Sequence, residues 1–243
     1  MKIGIISDIH SNIQALETVL KEFNRIKVDK IICCGDIIGI GPNPEEAVQM
    51  LIKKRECLIS VRGNHEKYFT DGLPKEVHDD KREMSFDEIQ NHKWTQSMLS
   101  EESIKFIKEL SVEKNIEIEN KKLYIVHYPE NEDGKYKKHI KEPTIAENQD
   151  MFSEINADIF LYGHIHAYSI NNMGNKWYIN PGSLGCPISN NIANAGILDI
   201  NNGKVEFQHL RIEYDVGKTI EEIEKIKFPM YKEILKIFYG KII

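Results

Sequence analysis

A chain of 243 residues, 41% hydrophobic and 29% charged, has the make-up of a soluble globular protein and is long enough to bury a large core. Its net charge of −6 excludes the basic footprint of an extended nucleic-acid surface. No run approaches the ~20 apolar residues of a membrane span, the apolar start at Met1–Asp8 is too short for a signal peptide, and Cys33, Cys34, Cys57 and Cys186 lack zinc-type spacing. A reducing, cytoplasmic setting is therefore expected.

In chain order, Lys2–Ser7 reads as a buried strand. Ile13–Phe23 follows as a helix with Ile13, Leu16, Leu20 and Phe23 on one face, capped by Ser11 or Asn12. Lys30–Cys34 is a second strand, Pro44–Lys53 a second helix and Cys57–Val61 a third strand. Strands separated by helices of this length predict a parallel sheet. A polar stretch with helices near Lys81–Leu99 and Ser103–Leu110 comes next. Asn115–Glu119 and Lys122–His127 then suggest a hairpin across Asn120-Lys121. A loop at Tyr128–Glu142, a helix near Ile145–Ile155 and a strand at Asp158–Tyr162 follow. Short strands turning at Asn171–Asn175 and Asn201-Asn202-Gly203 lead to helices at Val216–Ile226 and Met230–Tyr239, separated by Pro229. The early part is α/β and the later part mostly antiparallel. Two mixed sheets packed face to face with helices outside accommodate both.

Polar residues collect where the apolar strands end: Asp8-Ile9-His10, Gly35-Asp36, Gly63-Asn64-His65-Glu66, His127 and Gly163-His164-Ile165-His166. Carboxyl ends of strands are where ligands sit in α/β sheets. Asp8 and His10 are two apart, as are His164 and His166, so an extended segment projects each pair to one side. Mixed imidazole and carboxylate donors suit zinc, manganese, iron, cobalt or nickel. Asp36 has two oxygens with which to bridge two ions, and Asn64 offers a neutral oxygen. One such element is commonly a turn or a cap, but five of the nine histidines fall in these segments, and that joint pattern points to metal chemistry. His78, His92, His139 and His209 lack such spacing and are expected to face solvent.

These five blocks, in this order, resemble the calcineurin-like metallophosphoesterase superfamily, whose signature runs D-x-H, G-D, G-N-H-[DE], a single His and G-H-x-H. The resemblance implies a four-layer α/β (α+β) sandwich of two mixed β-sheets flanked by helices. It also implies a single metallophosphoesterase domain over residues 1–243, with a helical insertion near 66–110 and a C-terminal helical extension near 215–243. Carried over by position, Asp8, His10, Asp36 and His166 hold one metal, and Asp36, Asn64, His127 and His164 the other. The cofactors are then two divalent ions drawn from Mn²⁺, Fe²⁺/Fe³⁺, Zn²⁺, Ni²⁺, Co²⁺ and Mg²⁺, and they supply the positive charge that an acidic chain with five arginines lacks. A bridging hydroxide attacks phosphorus, with His65 as general acid and Asn64 beside it in the catalytic group. Asn64, His65 and Tyr128 are the expected substrate contacts; Tyr128 narrows the site or stacks on a base, or simply packs, as a tyrosine at a strand end more often does.

A narrower resemblance covers more of the chain. Gly35-Asp36-Ile37-Ile38-Gly39-Ile40-Gly41-Pro42-Asn43-Pro44 looks like the G-D-x-x-G-x-G-P-x-P stretch of a prokaryotic phosphodiesterase-like subfamily. Asn180-Pro181-Gly182-Ser183 matches a loop common there, and Tyr214-Asp215 through Gly240 is similar to its C-terminal helices. The expected substrate is a small phosphomono- or phosphodiester, with nucleotides among the candidates. Val61-Arg62-Gly63-Asn64-His65-Glu66 resembles a block of serine/threonine protein phosphatases, but their G-D-x-V-D-R-G arginine is replaced by Ile38-Gly39-Ile40-Gly41. A silent metal-binding scaffold is the other alternative, and the retained His65 argues against it. The tail Met230–Ile243 caps either a homodimer interface or the chain's own sheet. Lys135, Lys137, Lys138, His139 and Lys141 form a basic run that either guides an anion or is simply solvated.

Overall fold

The computed structural model describes residues 1–74, 77, 82–186 and 191–240. His78, Lys81 and the last three residues of the tail lie outside them. The alternation of the first strand, β1 (Lys2–Ile6), sets the layers. Ile3 and Ile5 point into a core between two sheets, whereas Ile6 joins the core under the helices. Burying one such side chain contributes about 1.5–3 kcal/mol. Helix α1 (Ile13–Ile26) buries Leu16, Val19, Leu20 and Phe23 on the helix side. Asn12, not Ser11, caps it by accepting the Ala15 N–H, and left-handed Lys27 ends it.

Strand β2 (Lys30–Cys33), helix α2 (Pro44–Ile52) and strand β3 (Leu58–Ser60) complete two parallel crossovers. Strands β9 (Ile192–Asn201) and β10 (Lys204–Glu213) add antiparallel edges, giving the order β10-β9-β1-β2-β3. The second sheet comprises β4 (Glu113–Ile118), β5 (Lys121–Val126), β6 (Ile159–Leu161), β7 (Ser169–Met173) and β8 (Lys176–Asn180), in the order β4-β5-β6-β8-β7. Its outer face, with Tyr124, Phe160 and Tyr178, packs on Phe152 after helix α6 (Ile145–Met151). The fold is thus two mixed five-stranded sheets with helices outside, as expected.

The later strands pair mostly antiparallel, as expected, although β5, β6 and β8 run parallel to one another. Two expectations are corrected. The β4–β5 turn is Glu119-Asn120, one residue earlier than expected, since both adopt the positive φ (50° and 60°) that a tight two-residue turn requires. The polar stretch after β3 begins with a helix that periodicity missed, α3 (Asn64–Thr70).

Helices α4 (Phe86–Ser97) and α5 (Glu101–Glu109) follow α3, and α7 (Val216–Ile226) and α8 (Tyr231–Tyr239) close the described chain. Phe228, Ile234 and Leu235 of the C-terminal helical pair pack with Trp94 of α4 and with Ile40, from the loop after β2. Among the described residues no helix is long and apolar enough to cross a membrane.

Candidate metal centre

Every strand that carries a signature block delivers it to one place. Asp8 and His10 follow β1, Asp36 follows β2, Asn64 and His65 begin α3 after β3, His127 follows β5, and His164 and His166 follow β6. Backbone bonds lace these ends together. Asp8 N–H donates to Gly35 O (3.0 Å), His10 N–H to Asp36 O (3.0 Å) and Gly163 N–H to His127 O (2.8 Å).

The D-x-H and H-x-H pairs are not extended, contrary to the spacing argument. Asp8, His10, Asp36, His164 and His166 all adopt left-handed φ between 46° and 70°. Such conformations are uncommon for residues with a Cβ and cluster where the surrounding structure imposes them for function. The left-handed turns, not strand alternation, swing these side chains inward.

Among the described residues, three groups of donor atoms each lie within 4.8 Å of one another: Asp8, His10 and His166; Asp36, His127 and His164; and His10, Asp36 and His65. His10 Nε2 is 3.0 Å from His166 Nε2, and Asp8 Oδ1 is 3.4 Å from His166 Nε2 and 3.9 Å from His10 Nε2. Asp36 Oδ2 lies between the first two groups, 3.7 Å from His10 Nε2 and 3.2 Å from His127 Nε2. Its other oxygen accepts the His65 N–H at 3.0 Å. Asn64 Oδ1 is 3.1 Å from His164 Nδ1, which is 3.3 Å from His127 Nε2. His127 Nδ1 must carry its hydrogen, since its partner at 2.7 Å is the Cys34 carbonyl, and this aims Nε2 at Asp36.

Electrostatics follow from packing carboxylates among imidazoles away from water. Burial alone would raise Asp8, but the hydrogen bond and charge of His166, with His127, hold it well below the usual carboxylate range. Burial likewise opposes ionisation of Asp36, and the charges of His127 and His65 overcome it. Burial pushes His10 down to about 3, against the pull of Asp36. His127 goes the other way: burial opposes its charge, but Asp36 and Asp8 raise it to about 9.

His65 sits against Gly39, where a Cβ would come within 2.1 Å of His65 Nδ1, so that position must be glycine. Its Nδ1 is buried without a partner, and burial lowers its pKa. Arg62 of the phosphatase-like block is turned away, donating to Thr70 Oγ1 (2.7 Å) and Asp71 (3.1 Å).

The first 203 residues match the model of the calcineurin-like phosphoesterase superfamily domain. The chain belongs to that superfamily. An uncharacterized protein of Methanocaldococcus jannaschii, MJ0912, is 34% identical over 93% of this chain and 93% of its own length. The phosphodiesterase YfcE of Escherichia coli is 25% identical, covering 82% of this chain and 88% of its own. A metallophosphoesterase from Sphaerobacter thermophilus superposes with a TM-score of 0.72 at 25% identity, over 96% of this chain and 98% of that one. The family binds divalent metals, and the histidine and aspartate groups above are the candidate sites for them.

Three residues close to the centre escaped the sequence. His139, expected to face solvent, brings Nε2 to 3.0 Å from His164 Nε2. His92, also expected in solvent, packs on His65 at 5.2 Å between ring centres and on Tyr68 at 5.1 Å. Glu66, the last residue of its block, is fully buried and accepts the N–H groups of Asp36, Ile37, Ile38 and Gly63. His209 stacks on Tyr168 with ring centres 3.8 Å apart, away from this cluster. Tyr128, weighed between packing and stacking on a base, is fully buried. Its hydroxyl donates to Lys138 O and accepts the Ile140 N–H, which fixes the loop that carries His139.

Proposed function

We propose that the protein is a phosphoesterase that works with two divalent metal ions on small phosphomono- or phosphodiesters. The observation that carries this reading is the position of Asp36 Oδ2 between His10 Nε2 and His127 Nε2, at 3.7 and 3.2 Å. The donor set fits such ions. His10 Nε2 and His166 Nε2 face each other at 3.0 Å with a carboxylate beside them, and buried His10 Nδ1 has no partner. Asp8, His10, Asp36 and His166 would hold one ion; Asp36, Asn64, His127 and His164 would hold the other. Bound there, divalent ions offer Lewis acidity toward a phosphoryl oxygen and acidify a coordinated water.

The protein's own groups prepare the rest. Asp8 and Asp36 stay ionised, and the Cys34 carbonyl fixes the tautomer of His127. Water attacks phosphorus in line with the ester oxygen, the bond to that oxygen breaks as His65 gives it a proton, and the proton shed by the water passes to solvent and so back to His65. Burial keeps His65 below its ordinary pKa. An anionic phosphoryl group beside the ring favours the protonated form and so readies the proton for departure. Asn64, at the N-terminus of α3, shares the site with His65. The free thiols Cys33, Cys34, Cys57 and Cys186 suit a reducing, cytoplasmic setting. Hydrolysis of an aryl phosphate monoester and diester with Mn²⁺ or Ni²⁺ tests the reading; no turnover with any divalent ion would refute it.

A further inference from the structure

A cavity of about 280 Å³ opens beside Asn64 and His65, between α3, α4 and α8. Its walls are largely apolar: Ile40, Tyr68, Met84, Met230, Ile237 and Phe238. The polar groups that line it are mostly committed elsewhere. Glu88 is held by the Arg82 guanidinium at 2.6 and 2.7 Å, and by the Ser85 N–H. The Asn91 amide donates to Pro229 O at 2.8 Å. His92 is kept neutral by burial. Among the described residues that line the cavity there is no lysine or arginine, and Glu233 adds a carboxylate beside the paired Glu88. The described lining thus brings no cationic side chain to a polyphosphate. The cavity has the character of a ligand site: largely apolar walls with a few polar groups among them, Asn64 and His65 included.

Its place relative to the chemistry gives it a role. The floor is His65, which under the reading above protonates the departing oxygen, so whatever that oxygen carries emerges into this space. We propose that the cavity is the leaving-group subsite and takes an uncharged aromatic group. Met230, Ile237 and Phe238 belong to α8 and its cap, beyond residue 203, where the family match ends. The C-terminal helices therefore complete a wall that the matched domain begins with Ile40, Tyr68 and Met84. The loop after β2 couples the two, since Ile40 packs in the C-terminal cluster while Gly39 admits His65.

This proposal rests on the phosphoesterase reading, and binding separates the two. Hydrolysis-inert phosphonates carry the same head group to the Mn²⁺-loaded protein, so only the appended group differs. Calorimetry should show naphthylmethylphosphonate binding on the order of tenfold tighter than methylphosphonate, the gain from the added apolar area. Ile237 is 56% exposed, so Ile237→Asp leaves the fold intact while placing a charge in the wall. That variant should bring the preference to within about twofold, since a charge facing apolar surface cancels most of the gain. Equal affinities in the unaltered protein, or an undiminished preference in Ile237→Asp, would overturn the subsite. Absent turnover of every phosphoester would strike the phosphoesterase reading and with it the leaving-group role, whereas a lost preference with turnover intact would strike the subsite alone.

Discussion

His139 Nε2 lies 3.0 Å from His164 Nε2, on the side of the ring opposite the cluster. His164 Nδ1 faces Asn64 and His127, so when Nδ1 offers its lone pair, Nε2 carries the hydrogen and donates it to His139. Partners of this kind orient a metal-binding imidazole and are commonly worth 10–100-fold in metal affinity. His139→Leu should weaken Mn²⁺ binding by about tenfold or more. His139→Gln, whose amide oxygen still accepts, should recover most of it. Calorimetric titration decides, and unchanged affinity in His139→Leu would contradict the role.

Glu66 is the keystone under Asp36. Its carboxylate accepts four backbone N–H groups, from Asp36 (2.9 Å), Ile37 (2.8 Å), Ile38 (3.0 Å) and Gly63 (2.8 Å). Removing it strands buried donors at about 1–3 kcal/mol each. Glu66→Ala should therefore destabilise the fold by on the order of 3 kcal/mol or more in urea unfolding, and Glu66→Gln by less. A loss below about 0.5 kcal/mol in Glu66→Ala would show that those donors find other partners.

His65→Ala should separate metal binding from chemistry. The side chain is assigned to proton transfer, so the variant should keep its metal content while turnover falls by about 10²–10⁴-fold. Turnover like that of the unaltered protein would remove His65 from the mechanism.

The raised pKa of His127 predicts a proton signature. In the metal-free protein burial opposes the charged ring, but Asp36 and Asp8 lift it from 6.5 to about 9, so it is charged at pH 7.5. A metal ion needs the neutral ring, and its binding must expel that proton. Apparent affinity should rise with pH toward 9, and titrations in buffers of different ionisation enthalpy should show proton release. The same shift stabilises the metal-free fold fully below the unfolded value of 6.5, and that contribution is lost as pH rises through 9. No proton release at pH 7.5 would contradict the assignment.

The sequence made Asp8, His10, Asp36, Asn64, His127, His164 and His166 legible because each sits beside an apolar strand whose end it marks. The strand and helix order was legible for the same reason: hydrophobic period reports local structure. The left-handed turns at Asp8, His10, Asp36, His164 and His166 were not, since tertiary packing imposes φ values that those residue types rarely choose alone. His139 arrives from a polar loop held by Tyr128, and His92 from a helix whose buried residues are the polar Asn91 and Thr95, so neither had a local pattern to betray it. Glu66 stood within a recognised block, but its bonds to the loop 30 residues earlier required the fold.

The central claim is that Asp36 serves two ions at once. Elemental analysis after reconstitution with Mn²⁺ tests it directly, on the unaltered protein and on Asp36→Asn. About two ions per chain are expected in the first and loss of both in the second, as a shared ligand requires. Fewer than about one ion per chain in the unaltered protein, or loss of a single ion in Asp36→Asn, would contradict it.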